Sequence, residues 1–209
     1  MQNELPGAET RYSTPAILFH WVVAALIVTN VVLAWIWDDP PTAADRQLIA
    51  LHISIGLTVL LIVPWRLVWR VIRRPPALPV SIAARERRLA HAVHWCLYIV
   101  MFGLPLSGWL MVSTRGQLRP VPWFGLFDWP VIPFLSGLPG DVRHDWHETF
   151  EGTHGVLAKV LYLLVGLHVI AVIKHHFLDR SPVLPRMLPG RAAARADAGP
   201  DKRATEATK

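Results

Sequence analysis

Four histidines lie inside long apolar stretches of this chain: His20, His52, His154 and His168. Hydrocarbon is a poor environment for an imidazole, so a titratable side chain within a membrane span marks a functional site by default. A lone histidine in such a place is explained as well by a hydrogen bond to a neighbouring helix. Four of them, matched in depth and in helix face, point instead to metal ligation, for which the neutral imidazole is a common donor.

His154 and His168 are separated by 14 residues. On an α-helix that is about 21 Å along the axis and roughly 40° short of four full turns, so both side chains face one side. One helix thus offers a ligand near each membrane surface. If the spans alternate in direction, His20 shares a level with His168, and His52 with His154. Two imidazoles from different helices are the axial set of a six-coordinate b-type haem, and the core between facing helices of a bundle can hold it. Two haems about 20 Å apart in depth would follow. Zinc would require more ligands converging on one point, commonly with cysteine, and two histidines per level underfill such a site. Full axial ligation favours electron transfer over oxygen binding at iron.

The elements that must position these residues are visible in the composition. The chain has 209 residues, 53% of them hydrophobic, and a mean hydropathy of +0.35. The apolar residues come in long runs: 16–37, 47–65 and 89–114 carry no charge, and 152–173 carries only Lys159. About 20 apolar residues cross a bilayer as a helix. The expected fold is therefore all-α, an integral membrane four-helix up-down-up-down bundle with helices at about 16–37, 47–72, 89–113 and 152–177. Asp38-Asp39-Pro40-Pro41 and Arg73-Arg74-Pro75-Pro76 are expected to end the first two, and Pro64 to kink the second. The N-terminal residues 1–15 are polar, with no cleavable leader pattern, so the first span is expected to stay. Residues 114–151 form the long connection, a Trp- and Pro-rich cap. Residues 181–209 form a polar tail, expected to be disordered after about 190.

The net charge of +6 is placed by topology and is no sign of nucleic-acid binding. Seven arginines from Arg66 to Arg88 lie at the second connection and eight basic residues lie from Lys174 onward, against four in the two other connections. The positive-inside rule then puts both termini in the cytoplasm, with a cytoplasmic membrane as the expected location. The single cysteine, Cys96, excludes an internal disulfide and covalent haem attachment through C-x-x-C-H; it reads as a small apolar packing residue.

Other candidates flank the four histidines. His94, with His91, could line the inner haem edge or a quinone headgroup, or be an interfacial polar residue. His147, seven residues before His154, shares its face and competes as outer ligand. His144 reads as a loop residue, and His175 and His176 as interfacial. Lys159 could snorkel outward or pair with a haem propionate. Arg115 offers a propionate partner at the outer end, or a solvated loop cation.

Several short pieces, taken in order, resemble the prokaryotic cytochrome b561 family: Arg11-Tyr12-Ser13 with Phe19-His20-Trp21, Leu51-His52-Ile53-Ser54-Ile55-Gly56, Ala90-His91-Ala92-Val93-His94, Leu104-Pro105-Leu106-Ser107-Gly108 with Arg115-Gly116, and Gly166-Leu167-His168. Lys174-His175-His176-Phe177 leading into Leu184-Pro185-Arg186-Met187-Leu188-Pro189 completes the pattern, which covers roughly residues 11–190. The resemblance implies a membrane protein with two non-covalent b haems, ligated at the positions of His20, His52, an early histidine of the last helix, and His168. Trp146-His147-Glu148-Thr149 looks like the stretch that carries the outer ligand in some relatives, but His154 has the favoured 14-residue spacing to His168. Electron transfer with ubiquinone on one side is implied, with superoxide oxidation at the outer face in at least one relative. Other members are cytochrome b anchor subunits that dock a soluble partner such as a dehydrogenase or hydrogenase. The acidic outer loops oppose steering of an anion to that face, although Arg115 and Lys159 could reverse this locally.

Overall fold

Pro15 in the first turn, where its missing N–H is no loss, opens a 23-residue helix α1, Thr14–Ile36. At 1.5 Å per residue it spans about 34 Å, enough for a hydrocarbon core of about 30 Å. The computed structural model describes residues 11–37, 41–43, 45–79, 82–116 and 121–189. The expected stop at Asp38-Asp39-Pro40 and the expected disorder after residue 190 lie outside them. Three more helices are long and apolar enough to cross a membrane: α2, Arg46–Ile72; α3, Ala84–Ser113; and α5, Gly140–Ile173, continued by a π-helical turn at Lys174–Leu178. Pro64 and Pro105 lie inside α2 and α3, each within a single continuous helix.

Cross-helix contacts fix the directions. The ring of His52 reaches the Asn30 carbonyl, and Arg66 reaches His20, so α2 runs antiparallel to α1. Arg66 lies over Tyr98 while Gly56 meets Pro105, so α3 reverses again. Gly108 meets His154, and His94 meets His168, so α5 returns beside α3. The result is an up-down-up-down bundle. Its central layer is small and aliphatic, with Val23, Val63, Met101 and Leu161 buried together. Large apolar side chains such as Leu18, Ile99 and Ile170 point outward, each more than 60% exposed, as lipid-facing residues do. Cys96 is exposed among them, rather than packed inside.

Two elements depart from the expected boundaries. The last helix begins at Gly140, 12 residues before the expected 152; its first three turns carry Asp141, His144 and Glu148, a polar helix that an apolar-run criterion does not detect. His144 is therefore helical, and pairs with Glu148 at 3.2 Å one turn on. The third helix starts at Ala84, not 89, and includes the basic run Arg85–Arg88. Arg66 and Arg70, counted above with the second connection, belong to α2.

The cap contains a β-hairpin, β1 (Val121–Trp123) and β2 (Phe127–Trp129), and a one-turn helix α4, Pro133–Ser136. Its turn closes with Leu126 N–H donating to Trp123 O at 3.0 Å. Phe124 and Gly125 take φ of 50° and 72°, a conformation glycine adopts freely and phenylalanine at a cost. The hairpin is latched to the bundle: Phe124 N–H donates to Ser54 Oγ, Trp109 Nε1–H to Pro130 O, and Ile132 N–H to Ser113 Oγ. At the opposite end, residues 184–189 fold back across the helix ends, where Tyr12 N–H, Trp21 Nε1–H and the Arg11 guanidinium donate to the carbonyls of Arg186, Met187 and Leu188. These two ends are called the hairpin end and the terminal end below.

Candidate metal centres

The bundle brings the four intramembrane histidines together as two pairs. Near the hairpin end, the rings of His52 and His154 are 6.3 Å apart between centroids; near the terminal end, those of His20 and His168 are also 6.3 Å apart. No hydrogen bond joins the rings of either pair among the described residues. Two metal–imidazole bonds of about 2 Å each, added to the distance from each ring centre to its nitrogen, fill this separation. Each pair therefore meets edge to face at a separation that one metal ion between the rings would also span.

The hairpin-end pair is prepared by its surroundings. His52 Nδ1–H donates to Asn30 O at 3.1 Å. His154 Nδ1–H is shared between Leu104 O and Ser107 Oγ, both at 3.1 Å, while the Ser107 hydroxyl itself donates to Leu104 O. An Nδ1–H committed to a carbonyl places the lone pair of the neutral ring on Nε2, the arrangement usual behind a metal-bound histidine. Gly108 makes the approach of His154 possible: a Cβ at that position would stand 3.1 Å from His154 Cε1. A cavity lies between the helices here, bordered by Asn30, Trp37, Gly56, Pro105 and Tyr162 as well as the two histidines. Its walls are mainly apolar, as a porphyrin face requires.

The terminal-end pair is arranged differently. Arg66 donates to His20 Nδ1 at 2.9 Å. Arginine has no acceptor, so this bond puts the His20 proton on Nε2. Ligation of a metal through Nε2 requires Arg66 to release Nδ1, or the ring to turn. His94 packs its ring 5.3 Å from that of His168, which places the sequence candidate beside this pair.

The remaining candidates lie elsewhere. His147 turns Nδ1 to Met111 O at 2.9 Å, near Thr114, at the hairpin end of α3, and His154 rather than His147 faces His52. Arg115 follows α3 at the hairpin end and contacts none of the four histidines among the described residues; burial holds its guanidinium below the ordinary arginine range, though it stays a cation. Lys159 is exposed on the outside of α5, as a snorkelling lysine is. Sequence reasoning missed Asn30, Ser107, Gly108 and Arg66 as supports of the histidines. Arg66 carried a usable signal, a charge nearly two turns before the end of α2; Asn30 contributes a backbone carbonyl, which no side-chain pattern reveals.

Comparison with known proteins shows the family of the chain. The profile of the family described as prokaryotic cytochrome b561 matches residues 11–190. Cytochrome b561 homolog 2 of Escherichia coli (strain K12) is 32% identical over 182 residues, 85% of this chain and 91% of the relative. A probable superoxide oxidase CybB of Yersinia pestis is 26% identical over 185 residues, 86% of this chain and 96% of the relative. Cytochrome b561 homolog 1 of Escherichia coli (strain K12) is 22% identical over 183 residues. With its four membrane helices and its paired histidines, the chain belongs to the prokaryotic cytochrome b561 family, inner-membrane electron-transfer proteins that carry b-type haem.

Proposed function

We propose that this protein is a di-haem cytochrome that carries single electrons between the two membrane faces; His20 and His168 would hold one haem b, and His52 and His154 the other. The observation that carries this reading is the recurrence of one ring separation, 6.3 Å, at two levels of the bundle. Each iron, when bound, supplies a reversible one-electron centre. The chain's own residues set the conditions. Asn30, Leu104 and Ser107 hold the hairpin-end imidazoles in the ligating tautomer. The Arg66 cation beside His20 favours the electron-rich state of the neighbouring centre. Two histidines holding each haem would suit it to electron transfer rather than to binding oxygen.

The abundance of arginine at the terminal end supports a cytoplasmic location for both termini. Ubiquinone is the proposed partner, and His94 beside His168 is the titratable group placed to exchange protons with a quinone headgroup there. Superoxide is a candidate electron donor at the hairpin end. Support for it comes from the relative described as a probable superoxide oxidase and from the cation at Arg115.

Haem quantification on histidine variants tests the ligand assignment. His20→Ala and His168→Ala should each lower the haem content by one per chain and remove the same spectral component; His52→Ala and His154→Ala should remove the other. Loss of a haem in His147→Ala but not in His154→Ala would overturn the hairpin-end assignment.

A further inference from the structure

At the terminal end a cavity of about 660 Å³ opens between the start of α1, the end of α2 and the middle of α3. Five arginines line it: Arg11, Arg66, Arg70, Arg73 and Arg74. No carboxylate is among its lining residues, and none of the five takes part in an ion pair within the described residues. The guanidinium carbons of Arg66 and Arg70 stand 5.3 and 5.7 Å from the centre of the Tyr98 ring. Arg11 donates to the Leu188 carbonyl, yet its Nε is buried without a partner. The hydroxyls of Tyr12, Ser13 and Tyr98 add donors around the same space.

Five like charges around one cavity repel one another; Arg73 and Arg74 are exposed, but Arg11, Arg66 and Arg70 are partly out of water, which is costly for a charge without an ionic partner. A stacked tyrosine offsets only part of this. Guanidinium groups present planar forks of N–H donors that fit phosphate oxygens two at a time. The rest of the wall is apolar: Pro15, Ala16, Ile72 and Met187. Ile72 is 68% exposed and the nearby Val71 65%, so the cavity adjoins the lipid-facing surface where α2 leaves the hydrocarbon. A headgroup seated among the arginines could therefore leave its acyl chains along that surface, which a free phosphate has no use for. Basic pockets between helices at a membrane boundary suit anionic headgroups.

We propose that this cavity binds the phosphodiester headgroup of an anionic phospholipid from the leaflet at the terminal end. Arg70 from the last turn of α2 and Arg73 just beyond it grip the phosphate, and Arg11 closes the site from the N-terminal side. The segment from Arg186 to Leu188 holds Arg11 and Tyr12 in place, so the ligand also ties the N- and C-terminal segments to the bundle.

Native mass spectrometry of the haem-loaded full-length protein, released from bilayers of equal phosphatidylglycerol and phosphatidylcholine, tests this. One phosphatidylglycerol should survive per chain, and the double variant Arg70→Gln/Arg73→Gln should retain at least fivefold less, with the charge-conserving Arg70→Lys/Arg73→Lys in between. Equal retention of the two lipids by the wild type would overturn the proposal, as would wild-type retention in the glutamine variant. Release of the lipid by millimolar inorganic phosphate would reassign the site to free anions and sink the lipid. Haem content is measured on the same samples. A glutamine variant that loses a haem while keeping its phosphatidylglycerol would assign the arginines to the cofactor's carboxylates instead. A melting curve on each variant separates lost binding from lost folding.

Discussion

His52 and His154 turn Nδ1 away from each other, each to a backbone carbonyl at 3.1 Å, Asn30 for one and Leu104 for the other. In each neutral ring this leaves the lone pair on Nε2. The close approach of His154 depends on a missing side chain, since a Cβ at Gly108 would meet His154 Cε1 at 3.1 Å and Nδ1 at 3.3 Å. Gly108→Ala should force the ring to shift by a few tenths of an ångström and alter one haem band, and Gly108→Val should remove that haem. Gly103→Ala is the matched control, because its Cβ would meet only Leu157 Cδ1 at an ordinary 3.7 Å. Reduced-minus-oxidised spectra of the three variants decide; a normal spectrum for Gly108→Val would refute the role given to this glycine.

Arg66 is held by His20 at 2.9 Å and by the face of Tyr98. A fixed cation beside a redox centre favours the state with one more electron. Arg66→Gln should therefore lower the midpoint potential of one haem, on the order of 100 mV for a unit charge several ångströms away at an effective dielectric constant of about 20, and leave the other unchanged. Redox titration followed optically resolves the two components. A shift of both, or a rise, contradicts the placement of Arg66 at the His20 centre.

Ser54 is 1% exposed and is the hairpin's foothold on α2. Its Oγ accepts from Phe124 N–H at 3.1 Å, and its proton is shared between Ala50 O and Pro122 O. Ser54→Ala leaves the Phe124 amide without this partner while the turn still holds Phe124 at positive φ. An unsatisfied group of this kind costs about 1–3 kcal/mol. The expected outcome is a lower melting temperature and faster proteolysis within 121–132, with both haems retained. Unchanged proteolysis would show that the Trp109 and Ser113 contacts suffice.

The membrane spans were legible because hydrocarbon demands long uncharged runs, and the depth pairing of the histidines followed from counting residues along alternating helices. The same criterion fails where a helix leaves the membrane. Residues 140–151 are polar and still helical, because nothing in water prevents the α5 ladder from continuing outward past the bilayer. The hairpin was not foreseen, since three-residue strands carry too little alternation to be read. Its Trp and Pro content signalled only a cap, and its position depends on a buried serine far away in sequence. Arg66 lies within the expected second helix yet counts with the cations of the second connection in the charge pattern, because that pattern does not separate a cation near the end of a span from one beyond it.

The π-helical turn after α5 carries a network whose pH response has a definite sign. Lys174 Nζ bridges Glu86 at 2.9 Å and Asp179 at 2.8 Å, and His175 Nδ1 meets Asp179 at 2.6 Å. The hydrogen bond from Lys174, and after it that from His175, hold the Asp179 carboxyl below its ordinary range. A carboxylate depressed in the folded state stabilises the fold fully above its unfolded pKa of about 3.9, and that contribution disappears as the pH falls through the lower folded value. The carboxylates lie at the surface, so solvent screens the effect and it is modest. The difference in melting temperature between the wild type and Asp179→Asn should hold steady from pH 7 to about 5, then shrink below about 4. A difference that instead grows under acid would mean that Asp179 destabilises the folded state and that Lys174 is held by Glu86 alone.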